Sequence, residues 1–361
     1  MQLRNTVTYG VFWRRLMRIN LTKASVFAKK KLRKRAIIIG DGSTGKNLLN
    51  FLRQHKQYGY DVVKYINGAV IAKANGRAAK KINSIAIGNG AIGYIDEVFV
   101  AQSDRNSYNL HEIISLLRKY AVRLRVVGKQ EMTGQSFQSM TMLGEFPLLS
   151  VRNEPLENPD NLFVKRWFDV AFSVTVLLLI CSWLFPLIAI LVKINSRGPV
   201  FFKQERWGKR NRRFTCLKFR SMSLASCMED QNGNFRQVSK GDKRVTAVGR
   251  LLRRTNLDEL PQFINVLAGD MSVVGPRPHA SIMNLESLHT IDAYLVRHQA
   301  KPGITGWAQV NGFRGESRDV DQLRARVKYD VWYIEHWSFL LDLKIIALTV
   351  VKMFTGDKKA Y

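Results

Sequence analysis

Acidic residues and cysteines are what this chain has least of. Its 361 residues hold 28 Asp+Glu against 57 Lys+Arg, a net charge of +29, and only three cysteines. Cys181, Cys216 and Cys227 are odd in number and unpatterned, so neither a disulfide framework nor a zinc site is indicated and a reducing, cytoplasmic setting is the default. The charge excess calls for a polyanionic partner. There is no Cys/His zinc spacing, no aromatic RNA-binding signature and no basic region followed by heptads, so nucleic acid is not expected as that partner. An anionic membrane surface or phosphorylated substrates remain. The first residues carry arginine but no apolar core ending in a small-residue cleavage site, so no secretory signal is expected.

The charges also leave one long gap. From Val170 to Val192 there are 23 residues without a charge, enough to span a bilayer as a helix. Lys165 and Arg166 precede the run, and Lys193, Arg197, Lys203 and Arg206 follow it, so both ends carry the mark of the cytoplasmic side. Pro186 lies inside the run; before it come about 16 residues, roughly 24 Å of helix, short of the hydrocarbon core. A helix that enters, breaks near Pro186 and returns to the same face satisfies both facts. Ser182, one turn earlier, is placed to satisfy the backbone where the proline removes a donor. The alternatives are a proline-kinked spanning helix and a buried core helix.

The amino-terminal third alternates strand and helix patterns. Ala36–Ile39 is a short apolar run followed by Gly40-Asp41-Gly42-Ser43-Thr44-Gly45 and a helical stretch from Lys46 to His55. That is the context of a Rossmann-type turn. Further strands are predicted at Asp61–Ile66, Ile82–Ile87, Glu97–Ala101 and Arg123–Val127, with a helix at His111–Tyr120, which reads as an α/β domain with a parallel sheet. Asn67 stands where a dinucleotide-binding turn places its ribose-binding acid. The same glycines fail as a phosphate loop because Asn47 replaces the metal-ligating hydroxyl. Gly40, Gly42 and Gly45 therefore serve either a tight turn with close packing or the binding of an anion. Residues 1–35 suit a helix lying on an anionic membrane, or a disordered basic tail. Pro155 and Pro159 mark residues 147–163 as a linker.

Against this basic background, Arg253-Arg254-Thr255-Asn256-Leu257-Asp258-Glu259-Leu260-Pro261-Gln262 sets two adjacent acids among arginines, and Pro276-Arg277-Pro278 comes soon after. Cations that can hold phosphate beside paired carboxylates suggest phosphoryl transfer. The bland reading is a helix start, with Asn256 as cap and the acids in the first turn. Neighbouring residues on a helix point about 100° apart, so one nucleophile with one assisting or metal-binding acid fits better than two equivalent acids. His279, His289, His298 and His336 show no metal spacing and read as packing or surface residues. Trp332, Tyr333 and Trp337, with Phe339 to Leu343 after them, read as an interfacial amphipathic stretch.

The carboxy-terminal half carries these motifs in a recognisable order. They are the membrane run ending Lys193-Ile194-Asn195-Ser196-Arg197-Gly198-Pro199-Val200-Phe201-Phe202, then Gln204-Glu205-Arg206, then Lys218-Phe219-Arg220-Ser221-Met222. The Leu257–Gln262 block is next, then Gly269-Asp270-Met271-Ser272-Val273-Val274-Gly275-Pro276-Arg277-Pro278, then Lys301-Pro302-Gly303-Ile304-Thr305-Gly306-Trp307 and Tyr329-Asp330. In this series residues 164–361 closely resemble the bacterial sugar transferases, the polyprenyl-phosphate hexose-1-phosphate transferases. Residues 36–146 resemble the Rossmann-like domain of the long members. Two departures stand out: Phe185 takes the place of the serine that often precedes the breaking proline, and no transmembrane-length run precedes residue 168.

The resemblance implies an α/β Rossmann-like domain plus a mainly α, monotopic membrane catalytic domain with a re-entrant helix over residues 168–194. It implies transfer of a sugar-1-phosphate from a UDP-sugar to undecaprenyl phosphate at the cytoplasmic face of the bacterial inner membrane, to begin a polysaccharide repeat unit. It also implies Mg²⁺, held by Asp258 and Glu259, and a homodimer is compatible with it. Asp258 matches the nucleophile, Glu259 its partner, Arg253 and Arg277 phosphate-contacting positions, and Lys218 and Arg220 a further basic motif. The rival reading is a membrane-tethered nucleotide-dependent oxidoreductase or epimerase; the acid missing at Asn67 and the absence of a Tyr-x-x-x-Lys pair weigh against it.

Overall fold

The computed structural model describes residues 33–40, 42–67, 95–101, 122–128, 139–223, 241–279, 291, 294–313 and 320–355. The basic segment before residue 33, the strand expected at Ile82–Ile87 and the helix expected at His111–Tyr120 lie outside the described residues. The chain divides into two compact units, one ending at Val151 and the other beginning at Arg152.

The first unit is a mixed sheet. β1 (Lys34–Ile39), β2 (Tyr60–Ile66), β3 (Glu97–Ala101) and β4 (Arg123–Val127) run parallel in the order β2-β1-β3-β4. Every residue of β3 is buried, as in a strand covered on both faces. Its one charge, Glu97, is neutralised by Lys34 and accepts from Tyr60 at 2.8 Å. The sequence pattern gives no sign of the antiparallel part of the sheet. There β5 (Ser139–Leu143) and β6 (Phe146–Ser150) form a hairpin, and β6 adds antiparallel to β4. β6 occupies the start of the expected linker because Leu148 and Leu149 bury against the sheet. The described parallel strands leave the outer side of β2 as the place where a dinucleotide-binding sheet sets its third strand, and the strand expected at Ile82–Ile87 lies outside the described residues.

The glycines of the first turn are used for packing. A Cβ on Gly40 would lie 3.0 Å from the Ala101 methyl, and one on Gly45 3.2 Å from the Tyr65 hydroxyl. Their absence seats α1 (Ser43–Gln54) on the ends of β1 and β3, where Leu48 and Leu52 enter the core. Gly42 stands at the amino-terminal cap of α1 and supplies no capping side chain.

The second unit starts with a long apolar helix. Asn158 accepts from the Asp160 backbone N–H at 2.9 Å and Pro159 takes the first position, a standard start for α2 (Pro159–Val176). A π-helical turn, Leu177–Cys181, leads into α3 (Ser182–Asn195). The expected break therefore sits one turn before Pro186, which stays inside α3. Proline clashes with the preceding turn, and widening that turn relieves it. Ser182 Oγ donates to the Leu178 carbonyl at 2.6 Å and Trp183 Nε1 to that of Leu179 at 3.0 Å, so side chains serve the widened backbone. Together α2 and α3 make a helical stretch of 37 residues, long and apolar enough to cross a membrane. Leu178, Leu179 and Ile194 are 67, 69 and 79% exposed, which rules out a buried core helix.

Polar contacts fasten the base of α2. Asp169 accepts from Ser272 Oγ and the Val273 N–H, both at 2.9 Å, and Arg166 donates to the Val266 and Leu267 carbonyls at 2.6 and 2.9 Å. Lys165 meets Asp342 at 2.6 Å, and Asp342 also accepts from Tyr333 and Trp337.

Beyond it come a hairpin, β7 (Phe201–Trp207) and β8 (Arg213–Phe219), and helices α4 (Ala247–Thr255) and α5 (Gln262–Ala268). Next are the parallel pair β9 (Ser272–Val274) and β10 (Gly303–Thr305), then α6 (Trp307–Val310), α7 (Val320–Glu335) and α8 (Phe339–Thr355). The core holds Val266, Met271, Val274, Tyr333, Trp337 and Ile345. Tyr333 and Trp337, expected at an interface, are thus interior, because both donate to the buried Asp342. Trp332 stays part-exposed, stacked between Trp307 and His336, and Leu340, Leu343, Val350 and Val351 keep α8 apolar outside.

Backbone meets backbone where β10 reaches the loop after β9. A Cβ on Gly303 would fall 2.1 Å from the Gly275 nitrogen, and one on Gly306 2.2 Å from the Gly275 oxygen. Gly303→Ala is therefore expected to cost at least about 1–3 kcal/mol through overpacking. A thermal melt should show the loss, and an unchanged melting temperature would contradict this packing.

Candidate active site

The two central acids sit on a single 3-10 turn, Leu257–Glu259. Arg253 and Arg254 in the last turn of α4 suit the negative end of its dipole. Asn256 then ends the helix in the left-handed conformation (φ 59°), and its carbonyl accepts from the Glu259 N–H at 3.1 Å. Asn256 provides no side-chain cap, contrary to the helix-start reading; it reverses the chain instead. The acids consequently stand on a tight corner between α4 and α5, and both are buried, Asp258 6% and Glu259 7% exposed.

Their surroundings differ sharply. Glu259 accepts a two-pronged contact from Arg277, Nη2 to Oε1 at 2.6 Å and Nη1 to Oε2 at 3.0 Å. Lys218, on β8, adds a third at 2.7 Å. Burial works to raise the Glu259 pKa, but Arg277 and Lys218 outweigh it and hold the carboxyl well below the usual range. Asp258 accepts no hydrogen bond and makes no ion pair among the described residues. Burial, with the charge of Glu259, pushes its pKa up, while Lys218, Arg253 and Arg277 only partly oppose this. One acid is locked and the other is open.

The remaining expected residues divide in the same way. Arg253 is anchored through Nε to Ser221 Oγ at 2.9 Å, and among the described residues its two terminal nitrogens take no partner. Arg277 is oriented toward Glu259. Arg220 is not part of this cluster: its guanidinium donates to the carbonyls of Ser196 at 2.6 Å, Arg197 at 2.7 Å and Val192 at 3.4 Å. It caps the carboxy-terminal end of α3, which is the physical reason it is turned from any phosphate. Ser182 and Pro186 lie in the apolar helix described above, and Gly40, Gly42 and Gly45 in the first unit.

Sequence reasoning gave no part in the site to three residues that build it. Ser221 holds Arg253. Arg206 donates to the Pro278 carbonyl, and Arg297 donates to the Arg277 carbonyl at 2.6 Å. Arg206 and Ser221 stood in quoted motifs, but only contacts far apart in sequence disclose what they do.

Among the described residues no group of three or more His, Cys, Asp or Glu side chains could hold a metal. A divalent ion here would have one open carboxylate, Asp258, while both oxygens of Glu259 are already engaged by cations. That set fits Mg²⁺, which is commonly bound by one or two carboxylates with waters and substrate phosphates, and it suits Asp258 better than Glu259.

The inequality predicts opposite responses to neutralisation. Glu259→Gln should destabilise by on the order of 3 kcal/mol, since Arg277 and Lys218 lose their shared counter-charge. Asp258→Asn should leave stability unchanged or raise it, because a raised carboxylate pKa means the fold disfavours the ionised form. Thermal melts of both variants at neutral pH decide; equal shifts would overturn the distinction.

A family profile described as bacterial sugar transferase matches residues 160–356. The chain is 40% identical, over 272 residues, to the UDP-glucose:undecaprenyl-phosphate glucose-1-phosphate transferase of Xanthomonas campestris pv. campestris, a match covering 74% of this chain and 54% of that protein. The proteins of the same name from Escherichia coli K12 and Klebsiella pneumoniae are 35% and 38% identical, over 90% and 91% of this chain and 68% and 69% of their own lengths. The chain thus spans about half to two thirds of the relatives it matches. With the matched region holding the acid pair, Lys218, Arg253 and Arg277, the chain belongs to the bacterial sugar transferase family.

Proposed function

We propose that this chain transfers a sugar-1-phosphate from a UDP-sugar to undecaprenyl phosphate, releasing UMP, and so starts a polysaccharide repeat unit. The observation that carries this reading is the unequal acid pair: Asp258 buried but without a partner, beside Glu259 fixed by Arg277 and Lys218. A carboxylate meant only for stability would be paired.

In the first step an Asp258 oxygen attacks the phosphorus that bears the sugar. The bond from that phosphorus to the bridging oxygen breaks, and UMP leaves with the electron pair. The product is an acyl phosphate on Asp258. In the second step a phosphate oxygen of undecaprenyl phosphate attacks the same phosphorus, and the Asp258 carboxylate leaves. The lipid then carries a diphosphate-linked sugar. The free nitrogens of Arg253 suit the donor's phosphates, and Arg277 holds positive charge beside them while keeping Glu259 ionised. Magnesium, when bound, would offset the charge of the donor diphosphate and so lessen its repulsion of Asp258. Every group named lies in one chain, so the chemistry does not require a second copy.

A lipid acceptor calls for a site at a membrane. We read residues 159–195 as a re-entrant helix entering from the cytoplasmic face of the inner membrane. In support, its two halves are fastened to the same unit: α2 through Lys165, Arg166 and Asp169, and α3 through Arg220 and the Asn195 contact to the Val248 N–H. The names of the relatives put UDP-glucose first among donors to test.

Membranes bearing the chain should release UMP from UDP-glucose, or from another sugar in a UDP-sugar panel, and yield a labelled lipid extract. Asp258→Asn should lower the rate by at least about 10³-fold, and chelation of magnesium should stop it. Full activity in Asp258→Asn would sink the nucleophile assignment.

The pH dependence has a defined sign. Asp258 attacks only when ionised, and its raised pKa places the acid limb of kcat/KM above the ordinary Asp value of about 3.9. The ion pairs of Glu259, with its depressed pKa, contribute stability above about pH 4.3 and lose it only as pH falls through the lower folded value. Acidification should thus abolish turnover reversibly before unfolding, as parallel rate and circular dichroism measurements would show; coincident loss of both would contradict it.

A further inference from the structure

We infer that Arg297 is a positioning residue for the proposed reaction, setting the Pro276–Pro278 loop so that Arg277 meets Glu259. The inference rests on the function proposed above but concerns a residue that touches neither acid.

The loop is held at each carbonyl. The Gly303 N–H donates to the Pro276 oxygen at 3.0 Å, Arg297 Nη2 to the Arg277 oxygen at 2.6 Å, and Arg206 Nη1 to the Pro278 oxygen. Pro276 and Pro278 have fixed φ and no N–H to bond elsewhere. The middle contact comes from the largest fully buried side chain among the described residues. Arg297 is 1% exposed, and the same Nη2 also donates to Asp330 Oδ2 at 2.7 Å, itself 1% exposed. Nη1 lies 2.7 Å from His279 Nδ1, which is also 2.6 Å from the Tyr294 hydroxyl. Guanidinium can only donate, so His279 Nδ1 must be its acceptor and carries no proton.

Burying this much charge is poor stability design. A buried ion pair is often matched or bettered by apolar residues of similar volume. What it supplies is direction: a planar fork bonds Asp330, His279 and the Arg277 carbonyl at once. An ammonium, a point donor on a flexible stem, cannot hold all three in one plane. Asp330, from α7, therefore fixes Arg297, Arg297 fixes the Arg277 backbone, and the Arg277 side chain fixes Glu259.

The test uses the full chain in membranes or nanodiscs, with UDP-glucose as donor. Arg297→Lys should lower kcat/KM by about 10- to 100-fold, the range expected when a reacting group is displaced by about an ångström. Hydrogen exchange at the Gly275, Arg277 and His279 amides should accelerate. In an Arg277→Ala background, Arg297→Lys should cost nothing further. Should Arg297→Lys show no cooperative melt, Asp330→Asn, which keeps shape and volume, takes its place with the same expectations. Unchanged exchange at those amides, or losses that multiply in the double variant, would overturn the assignment and leave Arg297 a general packing element. The exchange measurement needs no turnover, so a wild-type chain inactive on every UDP-sugar would refute the proposed function and still leave this result readable.

Discussion

The site depends on the clamp that Arg277 and Lys218 close on Glu259. Those two cations come from elements far apart in sequence, a proline-bounded loop after β9 and the strand β8, and they converge on an acid carried by a tight turn between α4 and α5. The contact does two things at once. It ties three elements at one point, and by taking up the cations it leaves the adjacent Asp258 unpaired. Had the positive charge been shared evenly, both carboxylates would be held ionised and hydrogen-bonded, and neither would suit the nucleophile proposed above. A free carboxylate in a buried site is costly, and the neighbouring cations make it tolerable without binding it.

Much of this was legible in the sequence where the signal is local. The acid pair, the arginines around it and Pro276-Arg277-Pro278 are contiguous strings, and β3 and β4 have the bounds expected from their short runs rich in valine. What could not be read is partner choice. Lys218 and Arg220 are two residues apart on one basic motif, yet one turns to Glu259 and the other to the end of α3. Alternation along a strand places them on the same face, and only the tertiary fold separates their targets. Tyr333 was misjudged, and the Asn256 cap of the helix-start alternative does not form, for the same reason: residue type suggests an interface or a cap, but the buried partner of one and the φ angle of the other are set by packing. The β5–β6 hairpin escaped notice because four of the five residues in β5 are exposed, so the strand has little apolar alternation to detect.

The apolar helix and the catalytic elements are continuous in a mechanical sense. Asp169 bonds β9 just before the Pro276–Pro278 loop, Arg166 takes the last carbonyls of α5 just after the acid turn, and Arg220 joins α3 to the strand that carries Lys218. Each of the three positions in the clamp is thus one short segment from a residue that grips the helix. The glycines that let β10 press on Gly275 close the same loop from the other side.

The contact between Lys165 and Asp342 also bears on how the protein is made. The two residues are 177 positions apart, and at a usual synthesis rate of about 5–20 residues per second Asp342 emerges roughly 9–35 s after Lys165. Through that interval Lys165 lacks this partner, and Asp169, one turn along the helix, is the counter-charge made with it. Under the membrane placement proposed above, a lysine in mid-helix would have to wait in hydrocarbon, whereas one at the helix base waits among water and lipid headgroups. A helix of this length and apolarity is therefore made early and locked to its domain late, and the place of that lysine at its base makes the order workable.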